Sequence, residues 1–416
     1  CLSSKYKSKN STFIIDDFLR IPIGSRKYTE GSETDFKWGI GYDKSKKDGL
    51  FIQRNSRPIY FGTKNTKLKL KNEFYIQRAL YGKTNSFSRK GASVLEETTE
   101  QKPNFPDYLG LSAELKSKIL GFDFESKILL NSLDFKKFKK IANINSEISK
   151  IIFEKQNDNS SEDIKLSLFG VYREKVWNGS LGNRDVLTSY GFKVEKEFRT
   201  SNTTNKYGFG YGEFQATERS NSKSIISRNR LNIFFNNENN INIWKSLKEK
   251  NYDKKFKYTP SIINSKLDLY ISTKIDFYNY DDNNYQNLYT FRAGPKIIIG
   301  NFKRNFLDYT ELNIFPKTTI AYGESPFGFD QSVDNQLIEI NLKQQLFGPI
   351  LLGLYTEYNL DLNSTNFKEF TNIRYELSWN RRAYNVTLSY DNEKEIGSIN
   401  FQINSFNFDG FGNKFK

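Results

Sequence analysis

From Ile338 to Phe408 the chain alternates apolar and polar residues two by two. Ile338, Ile340, Leu342 and Leu346 interleave with Glu339, Asn341, Lys343 and Gln345. After a Phe347-Gly348-Pro349 corner, Ile350, Leu352, Leu354, Thr356, Tyr358 and Leu360 fall in one phase. Tyr355, Glu357, Asn359 and Asp361 fall in the other. Thr371 to Trp379 and Tyr384 to Tyr390 repeat the pattern, and a last run carries Ile399, Phe401 and Ile403 before slipping by one residue to Phe406 and Phe408. Period two puts alternate side chains on opposite faces of a strand, and a one-residue slip marks a bulge. Soluble antiparallel sheets alternate too. These runs, however, are about ten to twelve residues long, near the roughly 9–11 that a tilted strand needs to cross a bilayer and above the usual five or six. Trp379 and Tyr384 flank the Asn380–Ala383 turn, where an interfacial aromatic girdle falls. The expected fold is all-β: a large antiparallel transmembrane β-barrel of about 18–26 strands with long polar loops on one side.

The rest of the chain extends the pattern. Phe36, Trp38, Ile40 and Tyr42 alternate, as do Leu68, Leu70, Phe74 and Ile76, and Leu109–Ile119 and Phe122–Leu130 are of strand length. Ile164, Leu166, Leu168 and Tyr172 form a clean face, Val186 to Phe198 another, and Leu267 to Phe277 the purest. Glycines separate Tyr207, Phe209 and Tyr211, which suits close backbone approach. Tyr289 to Ile299 is interrupted by Gly294-Pro295, a bulge or edge signal. Counting these runs gives about eighteen to twenty strands. Gly82–Pro106 and Asn236–Lys257 read as long polar loops, and Asp134 to Lys140 as a cationic connector that touches anionic lipid heads or solvent. No boundary divides the chain, so residues 1–34 are expected to lead into a barrel formed by residues 35–416.

Composition narrows the chemistry. The 416 residues include no histidine, no methionine and one cysteine, which excludes histidine triads, histidine metal sites, cysteine zinc knots and internal disulfides. No catalytic residue, cofactor or metal is expected, and an outer-membrane lipase or protease with a Ser–His pair is ruled out. Mean hydropathy is negative and no run of about twenty apolar residues occurs, but a barrel hides its hydrophobicity in every second residue. Lys plus Arg is 63 against 48 for Asp plus Glu, a net charge of +15. That suits anionic lipid or phosphorylated glycolipid as well as charge spread over loops, and no nucleic-acid motif accompanies it. Cys1, followed by Leu2-Ser3-Ser4, reads either as a lipidated mature terminus or as the start of a fragment.

Several stretches resemble a cyanobacterial outer-membrane family described as similar to the lipopolysaccharide-assembly protein LptD, also called organic solvent tolerance protein. They are Trp38 to Asp43, Asp48 to Phe51, Gln77 to Leu80, Val176 to Gly182, Phe306 to Thr310, Ser325 to Asp330 with Val333-Asp334, Gln344 to Pro349, Trp379 to Tyr384 and Asn404 to Phe408. The resemblance implies an outer-membrane barrel that delivers lipopolysaccharide or a related glycolipid to the outer leaflet. It also implies outer-membrane lipid, periplasmic Lpt bridge components and a lumen-plugging lipoprotein as partners.

Such an exporter needs a lumen and a weakly closed lateral seam. Proline lacks the ladder donor, so Pro22 and Pro58, beside the first strands, are the candidates to weaken closure onto the last strand near Phe401. Both also suit turns or strand starts. Arg374 is the candidate lumen charge for glycolipid phosphates, with Glu357 as a possible cross-strand partner. The competing expectation is a passive porin for small solutes, closed by a full first-to-last ladder, with Gly82–Pro106 or Asn236–Lys257 as its inward-folded constriction loop.

Overall fold

In the computed structural model, period-two alternation closes on itself. The structure describes residues 36–403 except 44–48, 57–58, 62–64, 82–104, 222, 247–262, 301–303, 381–383 and 394, together with a short hairpin ahead of them. Eighteen antiparallel strands form one closed barrel. In chain order they are β1 (Phe36–Asp43), β2 (Gly49–Asn55, resumed at Ile59–Tyr60), β3 (Thr66–Tyr75), β4 (Leu109–Ile119), β5 (Phe122–Leu130) and β6 (Ala142–Asn157). The tall wall follows: β7 (Ser160–Trp177), β8 (Asn183–Thr200), β9 (Thr203–Thr217), β10 (Ile225–Lys245), β11 (Lys266–Tyr280) and β12 (Tyr285–Gly300). The circuit ends with β13 (Tyr309–Gly323), β14 (Gln336–Phe347), β15 (Ile350–Asn359), β16 (Phe370–Asn380), β17 (Tyr384–Asp391) and β18 (Ile396–Ile403). No described helix is long and apolar enough to cross a membrane.

One phase of each strand faces outward and is apolar. Leu168, Phe192, Tyr211 and Leu231 are successive register partners across β7 to β10, and all four are exposed. Ile233, Phe277, Phe291, Ile320, Tyr375, Leu388 and Ile399 continue this exposed apolar belt, the surface that lipid covers in a membrane barrel. The other phase lines the lumen: Ser167, Lys193, Gly210, Asn232 and Tyr278 are partners along one inner row. At the end that bears the described chain ends, β4–β5, β6–β7, β8–β9 and β14–β15 are joined by two-residue turns, including Leu120-Gly121, where both φ angles are positive. Trp379 packs edge-to-face on Tyr384 at 5.5 Å, and Tyr384 lies 6.0 Å from Phe401, an aromatic rim at that end.

One departure from sequence expectation has a clear cause. Asn236 to Lys245 is not loop but the far part of β10, because its asparagines find polar partners: Asn237 donates to Asn205 at 2.5 Å, and the Thr203 hydroxyl to Asn239 at 2.7 Å. At Gly294-Pro295 the strand continues, but pairing with β13 lapses between Arg292 and Lys296. The β9 glycines do serve close approach. Gly191 opposes Gly212, and a Cβ on Gly191 would lie 2.2 Å from the Tyr211 carbonyl oxygen. Gly170, by contrast, has open space around it. Gly191→Val is therefore expected to destabilise the barrel by about 1–3 kcal/mol and Gly170→Val to leave it nearly unchanged, as read from the temperature at which each variant loses its compact form on a semi-native gel.

Candidate functional site

The lumen wall is built from charged residues that pair with each other. On one strand, residues two apart share the inner face, so Lys71 meets Glu73 at 3.1 Å, Lys193 meets Glu195 at 2.7 Å and Lys274 meets Asp276 at 2.8 Å. Across strands, Lys165 reaches Glu147 at 2.6 Å, Lys206 reaches Glu195 at 3.0 Å and Arg292 reaches Glu339 at 2.9 Å. Near the terminal end, a recess of about 600 Å³ opens on this wall between Lys116, Lys118, Lys127, Lys165, Glu125 and Glu147. A lumen of both signs admits polar and anionic groups alike and repels apolar ones.

At the opposite end one connection folds into the barrel. Residues 324–335, between β13 and β14, bring Phe327 into full burial against Val186, Phe214, Ala216 and Tyr280. Phe329 stacks on Phe214 with ring centroids 5.8 Å apart. Asp330 forms a largely buried ion pair with Arg230 at 2.8 Å and accepts the Tyr280 hydroxyl at 3.0 Å and the Ser325 hydroxyl. The Arg230 guanidinium also lies 4.1 Å over the Phe214 ring. Gln286 donates to the Asp330 carbonyl oxygen at 2.8 Å, and Asn178 donates to those of Gly328 and Gln331 at 2.8 and 3.0 Å. Asp334 accepts the Ser180 N–H at 2.7 Å and the Asn359 amide at 2.9 Å. Gly179, with positive φ, is required where it sits: a Cβ there would meet the Asp334 carboxylate.

The inward loop among the described residues is a segment other than the two expected from sequence. Gly82–Pro106 lies mostly outside the described residues, and Asn236–Lys257 begins as wall. Arg230, Phe327 and Asp330 were not singled out as site residues. For Phe327 and Asp330 the signal was the Ser325 to Asp330 stretch itself, where Pro326 and Gly328 interrupt strand formation; Arg230 carried none.

The proposed seam residues are scattered. Pro22 ends a separate two-stranded hairpin, Thr12–Asp16 with Leu19–Pro22, outside the barrel sheet, so its missing N–H does not touch the closing ladder. Pro58 lies outside the described residues. Phe401 sits on the closing pair opposite Trp38, and that pair is unbroken from Phe36↔Ile403 to Asp43↔Ile396. Arg374 does belong to the inner phase, where its register partners are Tyr355 and Asp391, and it pairs with Asp391 at 3.2 Å. Glu357 is not its partner: a register shift after Tyr355 sets Glu357 opposite Thr371, and the Tyr355 hydroxyl donates to it at 2.6 Å. Among the described residues no cluster of histidine, cysteine or carboxylates has metal-binding geometry.

Comparison with known proteins places the chain. The model of a family described as "Protein of unknown function (DUF3769)" matches residues 2–407. The chain belongs to the DUF3769 family. No curated protein sequence is significantly similar to it. Solved structures similar to this DUF3769 barrel include BamA from Haemophilus ducreyi lacking POTRA domains 1–3, at 10% identity and a TM-score of 0.39, covering 89% of this chain and 70% of that one. The FrpB iron transporter from Neisseria meningitidis, F3-3 variant, shows 7% identity and a TM-score of 0.31, covering 90% and 82%. OmpT, an outer membrane protein of Vibrio cholerae in its trimer form, shows 10% identity and a TM-score of 0.27, covering 88% and 96%. The DUF3769 chain folds as a closed, 18-stranded antiparallel barrel with an exposed apolar belt.

Proposed function

We propose that this protein is an outer-membrane exporter that carries lipopolysaccharide or a related glycolipid to the outer leaflet, its sugars passing through the polar lumen and its acyl chains leaving at the β1–β18 closure. The supporting observation is the height of the wall there. Among the described residues β1, β17 and β18 have eight residues and β2 has seven before its break, against 18 for β7 and β8 and 21 for β10. Eight tilted residues rise about 20 Å, less than the roughly 30 Å hydrocarbon core, and a bilayer matches a low wall by thinning. The lumen face of the closure is small and polar as well. It carries Gly39, Gly41, Ser389, Ser398 and Asn400, bridged by a Gln53–Asn400 bond of 3.0 Å. A short, thinly covered ladder is the place where parting strands expose the least backbone to lipid. The sequence-wide resemblance to the LptD-like family supports the same reading, with no enzymatic step and with periplasmic bridge components and a lumen lipoprotein as partners.

The unbroken closing ladder favours a second reading, a passive porin whose constriction is the 324–335 loop. Conditional depletion with surface labelling of glycolipid separates the two. Export predicts that newly made glycolipid stops reaching the surface while other barrels still assemble. Normal glycolipid arrival with reduced small-solute uptake would establish the porin instead.

A further inference from the structure

The tall wall has an open side. β5 begins at Phe122, and its last pair with β6 is Asp123↔Ser149. β6 then runs on for eight residues, Lys150 to Asn157, paired to β7 alone. All eight are exposed, among them Ile151, Ile152 and Phe153. About 26 Å of strand edge is therefore unpaired among the described residues, at the end of the barrel that bears the described chain ends. An edge of this length, carrying three consecutive large apolar residues, is a template for strand addition.

We infer that this edge receives an extended strand of a partner protein on that side of the membrane, an interaction beyond the transport reading. Charge indicates what that strand carries. On the inner face Glu154, Asp163 and Glu197 are consecutive partners across β6, β7 and β8, a row of three carboxylates that ends at the open edge. On the outer face Lys155 opposes Glu162, which pairs with Lys196 at 2.5 Å, so that row ends at the edge with a cation. Phe153, opposite Ile164, supplies an apolar site beside them. Directly opposed charges of like sign destabilise and those of opposite sign stabilise. The fitting strand is antiparallel and reads acidic, basic, apolar at the positions facing Lys155, Glu154 and Phe153. The register shift at Ile164/Lys165, where β6 has one residue more than β7, limits the added strand to the stretch beyond it.

The test places the photocrosslinker benzoylphenylalanine singly at positions 153 to 157 of the full chain in cells. The expected result is cross-linking to one protein, mapped by mass spectrometry to an extended segment with an adjacent acidic–basic pair, with yields that alternate along the edge. Glu154→Lys should lower the yield by about tenfold, and exchanging the basic residue of the partner for an acidic one should restore it. Phe153→Pro should abolish it and Phe153→Leu preserve it, in protein that still migrates as a folded barrel. Cross-links only to lipid, to a second copy or within the same chain, or a yield indifferent to Glu154→Lys, would overturn the assignment. None of these readouts depends on whether glycolipid is exported.

Discussion

A disulfide between Ile40→Cys and Ile399→Cys is expected to stop glycolipid export in cells whose barrel is folded and inserted normally, and reductant is expected to restore it. The two residues are register partners on the closing pair and both are exposed on the lipid face. Directly opposed residues of an antiparallel pair have Cα atoms about 4.5–5.5 Å apart, within the usual reach of a disulfide. The chain has no other cysteine than Cys1, so a Cys1→Ser background makes the cross-link unambiguous. Export through this closure requires β1 and β18 to part, and a covalent bridge opposes that without altering the lumen. A matched pair at Leu352 and Leu377, partners on β15 and β16, is the control and is expected to leave export intact. Surface labelling of new glycolipid before and after reduction reads the outcome. Undiminished export with the closing pair fully oxidised would show that glycolipid does not leave there.

The second large effect concerns the inward loop. Asp330→Ala is expected to free residues 324–335 from the lumen and to raise the single-channel conductance of the purified barrel in planar bilayers. The substitution strands the Arg230 guanidinium in a site where its side chain is only 16% exposed, and breaking a buried pair from one side costs about 3–5 kcal/mol. Phe327→Ala should act in the same direction through lost packing, at about 3–5 kcal/mol. Replacing both members of the pair, Arg230→Met with Asp330→Leu, should recover much of the loop's order, because an apolar pair of similar volume leaves no unpaired charge. Unchanged conductance in Asp330→Ala, with the protein folded, would show that the loop does not set the width of the path.

The wall of this barrel was legible from alternation because side-chain period and membrane geometry act on every residue of a strand. Leu109–Ile119 and Phe122–Leu130 are strands with the bounds read from sequence. Asn236 to Lys245 was not legible, since asparagine has no phase of its own and becomes strand only through cross-strand partners such as Asn205 and Thr203. The family-like stretches turn out to be mutual contacts. Asn178 holds the loop containing Gly328, Gln345 accepts the Asp308 N–H at 2.9 Å, and Gln77 accepts the Leu50 N–H at 3.1 Å. The motifs were visible in sequence but their pairing was not, because partners such as Asn178 and Gly328 are 150 positions apart. Pro22 drops out as a seam residue for a related reason, while Pro58 lies outside the described residues. Proline marks a break in a ladder only if the ladder passes through it, and Pro22 belongs to another sheet.

Unequal wall height among the described residues also bears on where cargo would meet an exporter of the proposed kind. Beside β1 and β18 the outward face is still aromatic at Trp38 and Phe401 near the terminal end. Along β7 to β10 it continues past the apolar belt into Glu162, Lys196, Asn205 and Asn239. Among the described residues the wall at that end is therefore taller along β7 to β10 than at the closure. On the proposed export route, a glycolipid lying in the adjoining leaflet would meet the barrel where its described strands are shortest, with Glu162, Lys196, Asn205 and Asn239 as a polar palisade on the far side.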